Sequence, residues 1–245
     1  MDREFIDYKR KKIPEHLIEK NAHKINWEKI AEYQLLSEEF ILKYSDELTW
    51  DLICKTQLLS ENFILEHINN LNWKDISRYQ DLSEEFIDKY KDKLDWADIT
   101  LCQTLSEKFI LNHLEYVHWD SVGKFQRLSH EFIDIYGHKL YWGWVVYHQI
   151  LSEYLILKHA GHINHYMDWM SLIERQRISE PFVEKYLMSL PDNLIGHIIK
   201  HQNISEQFIM KYLHRIPNDT LKYILNKKLV RKDSANYKLI QLSLI

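Results

Sequence analysis

The chain is poor in cysteine, glycine, proline and long apolar runs. Its 245 residues include two cysteines, five glycines and four prolines. Neither cysteine lies in a metal-type or redox-type spacing, and no GxxxxGK[ST], GxGxxG or GxSxG motif occurs, which argues against phosphate-binding loops and a hydrolase elbow. No window approaches about 18 consecutive apolar residues, so we expect no membrane span. These absences predict a protein that is not an enzyme.

What the chain has in abundance is repetition with a 23-residue period. Serine and tryptophan each recur at that step: Ser37, Ser60, Ser83, Ser106, Ser129 and Ser152, and Trp27, Trp50, Trp73, Trp96, Trp119 and Trp142. A period of this length indicates small supersecondary units that bury their apolar faces only by stacking.

Each repeat contains the signals for two helices. The Ser is a helix N-cap, and the Glu that follows it suits the helix dipole and is expected to face water. Phe40, Ile41, Tyr44 and Leu48 then share one stripe at helical spacing, which predicts a first helix of about ten residues. A polar cap precedes the Trp, which begins a second short helix ending near a Gln. The fold class predicted is therefore all-α, an α-solenoid of stacked two-helix repeats.

We predict one solenoid over residues 1–245. It comprises an N-terminal half-repeat (1–12), regular repeats (13–151), longer degenerate repeats (152–227) and a C-terminal cap (228–245). The spacing breaks between Ser152 and Ser179, where 27 residues replace 23, with the extra residues around HINHYMDWM. In the last two copies the Trp is lost, and Pro191 or Pro217 lies near the start of the second helix. The apolar tail is expected to cap the final repeat, and self-association through it is the alternative.

A glutamine closes each repeat. Buried in an apolar stripe, its amide would be costly unless paired, so we expect each Gln to bond loop or helix-end backbone of its own or the next repeat. The structural set comprises the six tryptophans above and Gln34, Gln57, Gln80, Gln103, Gln126 and Gln149.

Histidines supply one candidate ligand site. His113, His159, His162 and His165 are the residues we would assign to a small anionic ligand such as a nucleotide, together with nearby Lys side chains; the basic C-terminal end is the other candidate. The last three are spaced so that two could share a metal if helical, but no carboxylate or cysteine partners are patterned around them. We therefore predict no metal and no cofactor.

The strongest local departure from the repeat is YWGWVVYHQ, residues 141–149. Trp144 and Tyr147 fall on a face where other copies carry charged residues, and aromatic side chains of that kind are enriched at binding hot spots. Tyr116, Tyr141 and Tyr166 lie in or near the adjacent turns. These five residues form the candidate partner-binding site. The alternative is that the inserted residues fold over the patch and bury it.

Charge and cysteine content limit which partners and which cellular compartment fit the chain. The net charge is −4, yet from Arg177 onward there are 11 Lys and Arg against 6 Asp and Glu, so the preceding residues are acidic. This balance makes nucleic acid a poor partner and leaves only the last third as a modest candidate for binding it. Cys54 and Cys102 lie in equivalent helices two repeats apart, on the order of 20 Å from each other and too far for a disulfide. The N-terminal segment has no secretory pattern. We expect a cytoplasmic protein without a membrane segment.

The segments LSEEFIDKYKDKLDW and LSENFILEHINNLNW carry a resemblance. Over about residues 13–176 the repeat resembles the short LSEEFI–Trp–Gln repeats of giant DNA viruses and some bacteriophages. The resemblance implies a viral accessory protein that acts in the host cytoplasm by occupying a host component, and it transfers no catalytic residue. The function expected is non-enzymatic binding of a protein partner. The alternatives are a binding or sequestering protein for a small anionic nucleotide and a structural, self-assembling element.

Overall fold

The computed structural model describes residues 12–163, 165–187 and 193–244, and these form 19 α-helices and no strand. The chain divides into two compact units, Met1–Gln126 and Arg127–Ile245. The predicted all-α class, an α-solenoid of two-helix repeats, is confirmed. The boundaries predicted within one array stay a prediction. Residues 1–11 of the N-terminal half-repeat, and Pro191, lie outside the described residues.

In the first unit the helices alternate between the first and second helix of successive repeats. They are α1 (Glu15–Lys20), α2 (Trp27–Tyr33), α3 (Glu38–Lys43), α4 (Trp50–Thr56), α5 (Glu61–Glu66), α6 (Trp73–Tyr79), α7 (Glu84–Lys89), α8 (Trp96–Cys102), α9 (Glu107–Asn112) and α10 (Trp119–Phe125).

The second unit continues the alternation and adds irregular pieces. Its helices are α11 (His130–Tyr136), α12 (Trp142–His148), α13 (Glu153–Lys158), α14 (Tyr166–Arg175), α15 (Glu180–Phe182), α16 (Asn193–His201), α17 (Glu206–Lys211), α18 (Asn218–Lys227) and α19 (Ala235–Leu242). Three 3₁₀ turns occur at Gly137–Lys139, Ala160–His162 and Leu213–Arg215, and a π-helical turn at Val183–Leu187 follows α15.

Serine caps the first helix of each repeat except at α1, which is preceded by Pro14. The side chain of Ser83, for example, accepts a hydrogen bond of 3.1 Å from the backbone N–H of Phe86. A cap of this kind contributes about 1 kcal/mol. Asn72 and Asp95 cap the second helices α6 and α8 in the same way, whereas Thr49 precedes α4 without a side-chain hydrogen bond to it.

The first helices are shorter than predicted. α3 has six residues instead of about ten, because Tyr44 leaves helical geometry at φ −117° and ψ 26° and ends the helix. Its ring packs 4.7 Å from the Trp27 ring on the preceding second helix. A turn closed by a 3.1 Å bond from Leu48 N–H to the Tyr44 carbonyl then brings Leu48 into the core.

Within each unit, the second helices of consecutive repeats pack on one another, as in α4 on α6 and α12 on α14. The aliphatic residue three positions after the Trp is fully buried in each regular repeat: Ile30, Ile53, Ile76, Ile99, Val122 and Val145. Burying such a side chain contributes about 1.5–3 kcal/mol relative to its exposure. The next position is small in the first unit, for instance Ala31 and Ser77, so that the helices approach closely.

The buried glutamines bridge repeats through the backbone. Gln80 is 2% exposed; its Oε1 accepts from the N–H of Leu59 at 2.9 Å, and its Nε2 donates to the carbonyls of Cys54 and Gln57 at 2.5 and 2.9 Å. These carbonyls lie at the C-terminal end of α4, where helical partners run out. Gln57, Gln103, Gln126, Gln176 and Gln202 repeat the pattern. The Leu59 N–H lies in the loop that opens the repeat of Gln80 itself, as predicted, whereas the two carbonyls belong to the preceding repeat and not to the next one.

The glutamate that follows the capping Ser, except at Ser129 where His130 follows, also acts between repeats, which corrects the expectation that it only faces water. Glu84 accepts from the backbone N–H of Ser106 at 2.5 Å and from its hydroxyl at 3.0 Å. Glu38 makes the same pair of bonds to Ser60. The carboxylate therefore holds the cap residue of the following repeat in place.

The longer spacing after Ser152 is partly accommodated in helix α14. This helix has ten residues where α12 has seven, and it starts three residues before Trp169. Gln176 remains in register, since its amide bonds the Leu151 N–H and the Val146 and Gln149 carbonyls.

The apolar tail folds onto the last repeat. Ile240 of α19 is fully buried in a cluster with Val230 and Ile224. Asn236 Nδ2 donates a 2.6 Å hydrogen bond to Glu206, the glutamate that follows the cap residue Ser205. In other repeats, the glutamate at this position bonds the repeat that follows. Helix α19 therefore docks as the first helix of a further repeat would. Leu239 and Leu242 remain 47% and 65% exposed.

Candidate partner-binding surface

An exposed cluster of rings lies on α12 and its N-cap. Tyr141, Trp144 and Tyr147 are 45%, 37% and 40% exposed. The ring centroids of Tyr141 and Trp144 are 6.1 Å apart, Trp144 lies 5.8 Å from His148, and Tyr147 lies 4.8 Å from His148. We call these four residues the aromatic surface. They form one connected patch in the second unit.

Helix α14 borders this surface and fixes one of its rings. The guanidinium of Arg175 lies 4.2 Å from the centre of the Tyr147 ring, and its Nη2 donates to the Tyr147 hydroxyl at 2.5 Å. A cation over an aromatic face contributes about 0.5–1 kcal/mol at an exposed position. The contact holds Tyr147 in one orientation, which lowers the entropy that a partner would have to remove on binding.

Gly143 allows α14 to approach α12 beside the aromatic surface. A Cβ at this position would lie 2.7 Å from Tyr141 Cε1 and 2.9 Å from Asp168 Oδ1. Asp168, in the first turn of α14, accepts from the backbone N–H of His165. The neighbouring Tyr166 and Met167 are 42% and 68% exposed. The described residues of the insertion thus lie beside the aromatic surface and leave it exposed.

Other copies carry charges on the same helix face. Lys55 of α4 lies 3.4 Å from Asp75 of α6, and Arg78 lies 3.9 Å from Asp98 of α8. Lys55 and Arg78 are exposed, whereas Asp98 is only 6% exposed, so it is the basic groups that keep this face hydrated. Replacing them by rings in α12 leaves an apolar surface that can be desolvated by a partner at low cost.

Tyr116 and His113 belong to the first unit. The Tyr116 ring lies 4.9 Å from the Trp96 ring, and the Tyr116 side chain is 37% exposed. His113 is 6% exposed, with Nδ1 2.9 Å from the Phe109 carbonyl and Nε2 2.9 Å from Asp88. An open groove of about 310 Å³ borders His113. Because three carboxylates, Glu84, Glu85 and Asp88, line this groove against one ammonium group, that of Lys91, its charge disfavours an anionic ligand.

The remaining candidate histidines do not converge on one point. His159 is 7% exposed and stacks on Trp142 at 4.7 Å, and burial lowers its pKa, so the neutral ring is favoured. The His162 ring lies 6.0 Å from that of His159, and His165 is the N-cap of α14. Their spacing would let two of them share a metal only if the segment were one helix, but a 3₁₀ turn at Ala160–His162 separates α13 from α14.

The structure gathers one potential metal-ligating group that sequence spacing did not suggest. Glu174 of α14 and His197 and His201 of α16 lie together, and no other such cluster of three occurs in the parts of the chain described. The i and i+4 spacing of the two histidines was a detectable signal. The glutamate was not detectable, because it reaches them only through the packing of α14 on α16.

In comparisons with protein-family models, with curated proteins and with solved structures, nothing matches this chain. None of the helices in the described ranges is long and apolar enough to cross a membrane.

Proposed function

We propose that this chain is a non-enzymatic helical-repeat protein that binds a protein partner through the aromatic surface on α12. The observation that carries the proposal is the replacement of a charged helix face by the connected, exposed rings of Tyr141, Trp144 and Tyr147. Rings of this kind bury a large area with few rotatable bonds, which is why they dominate binding hot spots.

The resemblance to viral repeats suggests where the protein would act and on what kind of partner. A viral accessory protein working in the cytoplasm of the host would bind a host protein at this surface and occupy it. The partner that fits presents an apolar or aromatic patch able to cover the three rings. An acidic or hydrogen-bonding rim on the partner would face Arg175, whose guanidinium borders the patch.

Neither alternative is favoured by a specific contact. A small anionic ligand would meet the carboxylates that line the groove at His113. Self-assembly through the tail would compete with the burial of Ile240 against the last repeat. The interaction of a protein partner with the aromatic surface requires no such rearrangement.

A consensus-reverting variant tests the proposal. Trp144→Asp with Tyr147→Lys gives α12 the kind of charges that Asp75 and Arg78 give α6. A matched control, Lys55→Ala with Asp75→Ala, alters the same helix face in the first unit. All three proteins are immobilised, after circular dichroism shows equal helix content, and proteins retained from a cytoplasmic lysate are quantified by mass spectrometry.

We expect a protein that is retained by the wild type and the control and depleted at least ~10-fold by the variant, since hot-spot losses of about 2 kcal/mol or more exceed that factor. Equal retention by the variant and the control would contradict the assignment of the site to α12.

A further inference from the structure

Two imidazoles and a carboxylate form a compact cluster at the junction of α14 and α16. His197 and His201 are four positions apart on α16, and their rings stack with centroids 5.5 Å apart and planes inclined by 12°. Glu174 Oε1 on α14 lies 3.7 Å from His197 Nδ1. One potential ligand atom from each residue lies within 4.8 Å of the other two.

These separations are close to those of a bound zinc ion. Zinc–nitrogen and zinc–oxygen distances of about 2.0–2.2 Å place tetrahedral ligand atoms roughly 3.4 Å apart. The 3.7 Å between Glu174 Oε1 and His197 Nδ1 is close to that value, and a bound ion would draw in the ligand atom of His201 from within 4.8 Å.

His197 provides an independent sign that the cluster lacks a component. Its Nδ1 is buried and has no hydrogen-bond partner in the structure, since 3.7 Å to Glu174 is too long for one. Burying a polar nitrogen without a partner is costly. A metal ion between Glu174 and His197 would satisfy that nitrogen and the carboxylate together.

Neighbouring cations are engaged elsewhere. Lys200 lies between the two histidines in sequence, but its ammonium bonds Asp219 of α18 at 2.8 Å. Arg175 follows Glu174 and packs on Tyr147. Both positive groups have partners of their own, so the Glu174 carboxylate is available to a metal ion.

We propose that Glu174, His197 and His201 form a binding site for a divalent transition metal, with zinc as the best fit. Two nitrogens and one oxygen match zinc, whereas magnesium and calcium prefer oxygen ligands throughout. Three protein ligands leave a fourth position for water or for a side chain of another molecule. The site does not depend on the function proposed for the aromatic surface.

The test is calorimetric titration of the full chain, treated with chelator, with zinc chloride. His201→Ala and Glu174→Gln change exposed side chains and are expected to leave the fold intact, which thermal unfolding without metal checks. His162→Ala is the matched control, because it removes an exposed histidine from the cluster that sequence spacing pointed to. Cobalt(II) absorption reports the coordination geometry of the same site.

We expect one zinc ion per chain for the wild type and for His162→Ala. Changes outside the first coordination shell weaken metal binding ~10–100-fold, so removing a ligand in His201→Ala or Glu174→Gln should cost at least as much. Excess magnesium should not compete. The proposal is overturned if both variants bind zinc as tightly as the wild type, if the wild type binds none, or if magnesium displaces the zinc.

Discussion

The buried glutamine ladder gives the sharpest stability prediction. Replacing Gln80 by Leu keeps the size of the side chain and removes three hydrogen bonds, to the Leu59 N–H and to the Cys54 and Gln57 carbonyls. Each of the three groups left without a partner costs about 1–3 kcal/mol, roughly 3–9 kcal/mol together, and the gain from burying leucine offsets about 1.5–3 kcal/mol of this. We expect Gln80→Leu to lower the free energy of unfolding by on the order of 3 kcal/mol.

The assay is urea unfolding followed by circular dichroism, with Gln207→Leu as the control. Gln207 is exposed on α17, so its replacement should change stability by less than about 0.5 kcal/mol. Gln80→Glu separates hydrogen bonding from shape, because a carboxylate would face two carbonyl oxygens. Protonation removes that repulsion, so the deficit of Gln80→Glu should shrink as the pH falls. If Gln80→Leu is as stable as the control, the ladder does not hold the repeats together.

Three further outcomes follow from local contacts. Gly137→Ala should destabilise the protein by about 1–3 kcal/mol, because the new Cβ would lie 2.6 Å from the ring of His159. Gly161→Ala is the control and should be neutral or stabilising, because a Cβ there meets nothing within 4 Å. Equal melting temperatures of the two variants would refute this. Burial, with a smaller effect from a nearby aspartate, raises the pKa of the Cys54 thiol to about 12. A thiol reagent near neutral pH should therefore label the exposed Cys102 first. Equal labelling rates of the two cysteines would contradict this prediction. Ile240→Ala should lower unfolding free energy by about 2–5 kcal/mol in chemical denaturation, and an unchanged midpoint would show that the tail is not docked.

The repeat architecture was predictable because its signals are local. A Ser cap, a stripe of Phe and Ile, and a capped Trp specify two helices within one repeat, and their period implies stacking. The early end of α3 was not predictable in the same way. It depends on Tyr44 packing against Trp27 of the preceding second helix, a contact between two elements.

Contacts between repeats were the part that periodicity left open. A residue that recurs in every copy has equivalent neighbours on both sides, so the pattern alone does not say whether Gln80 serves the repeat before it or after it. Glu84 was assigned to solvent because its place at a helix start explains it within one repeat. Stacking places the Ser106 backbone against it.

The candidate partner-binding site was likewise predictable in its local features and not in its contacts between helices. The departure of Trp144 and Tyr147 from the repeat was visible in the sequence, whereas their exposure depended on where the inserted residues pack. Arg175 was not anticipated as a partner of Tyr147, because the contact depends on how α14 packs on α12. The cluster at Glu174 was missed for the same reason.

The most direct test of the proposed function is hydrogen–deuterium exchange of this protein with and without the captured partner. The aromatic surface predicts slower exchange on partner binding in peptides covering α12 and the bordering α14, with peptides covering α4 and α6 unchanged. Protection confined to α4, α6 or the tail, with α12 exchanging as in the free protein, would contradict the proposal that the chain binds its partner through the rings of α12.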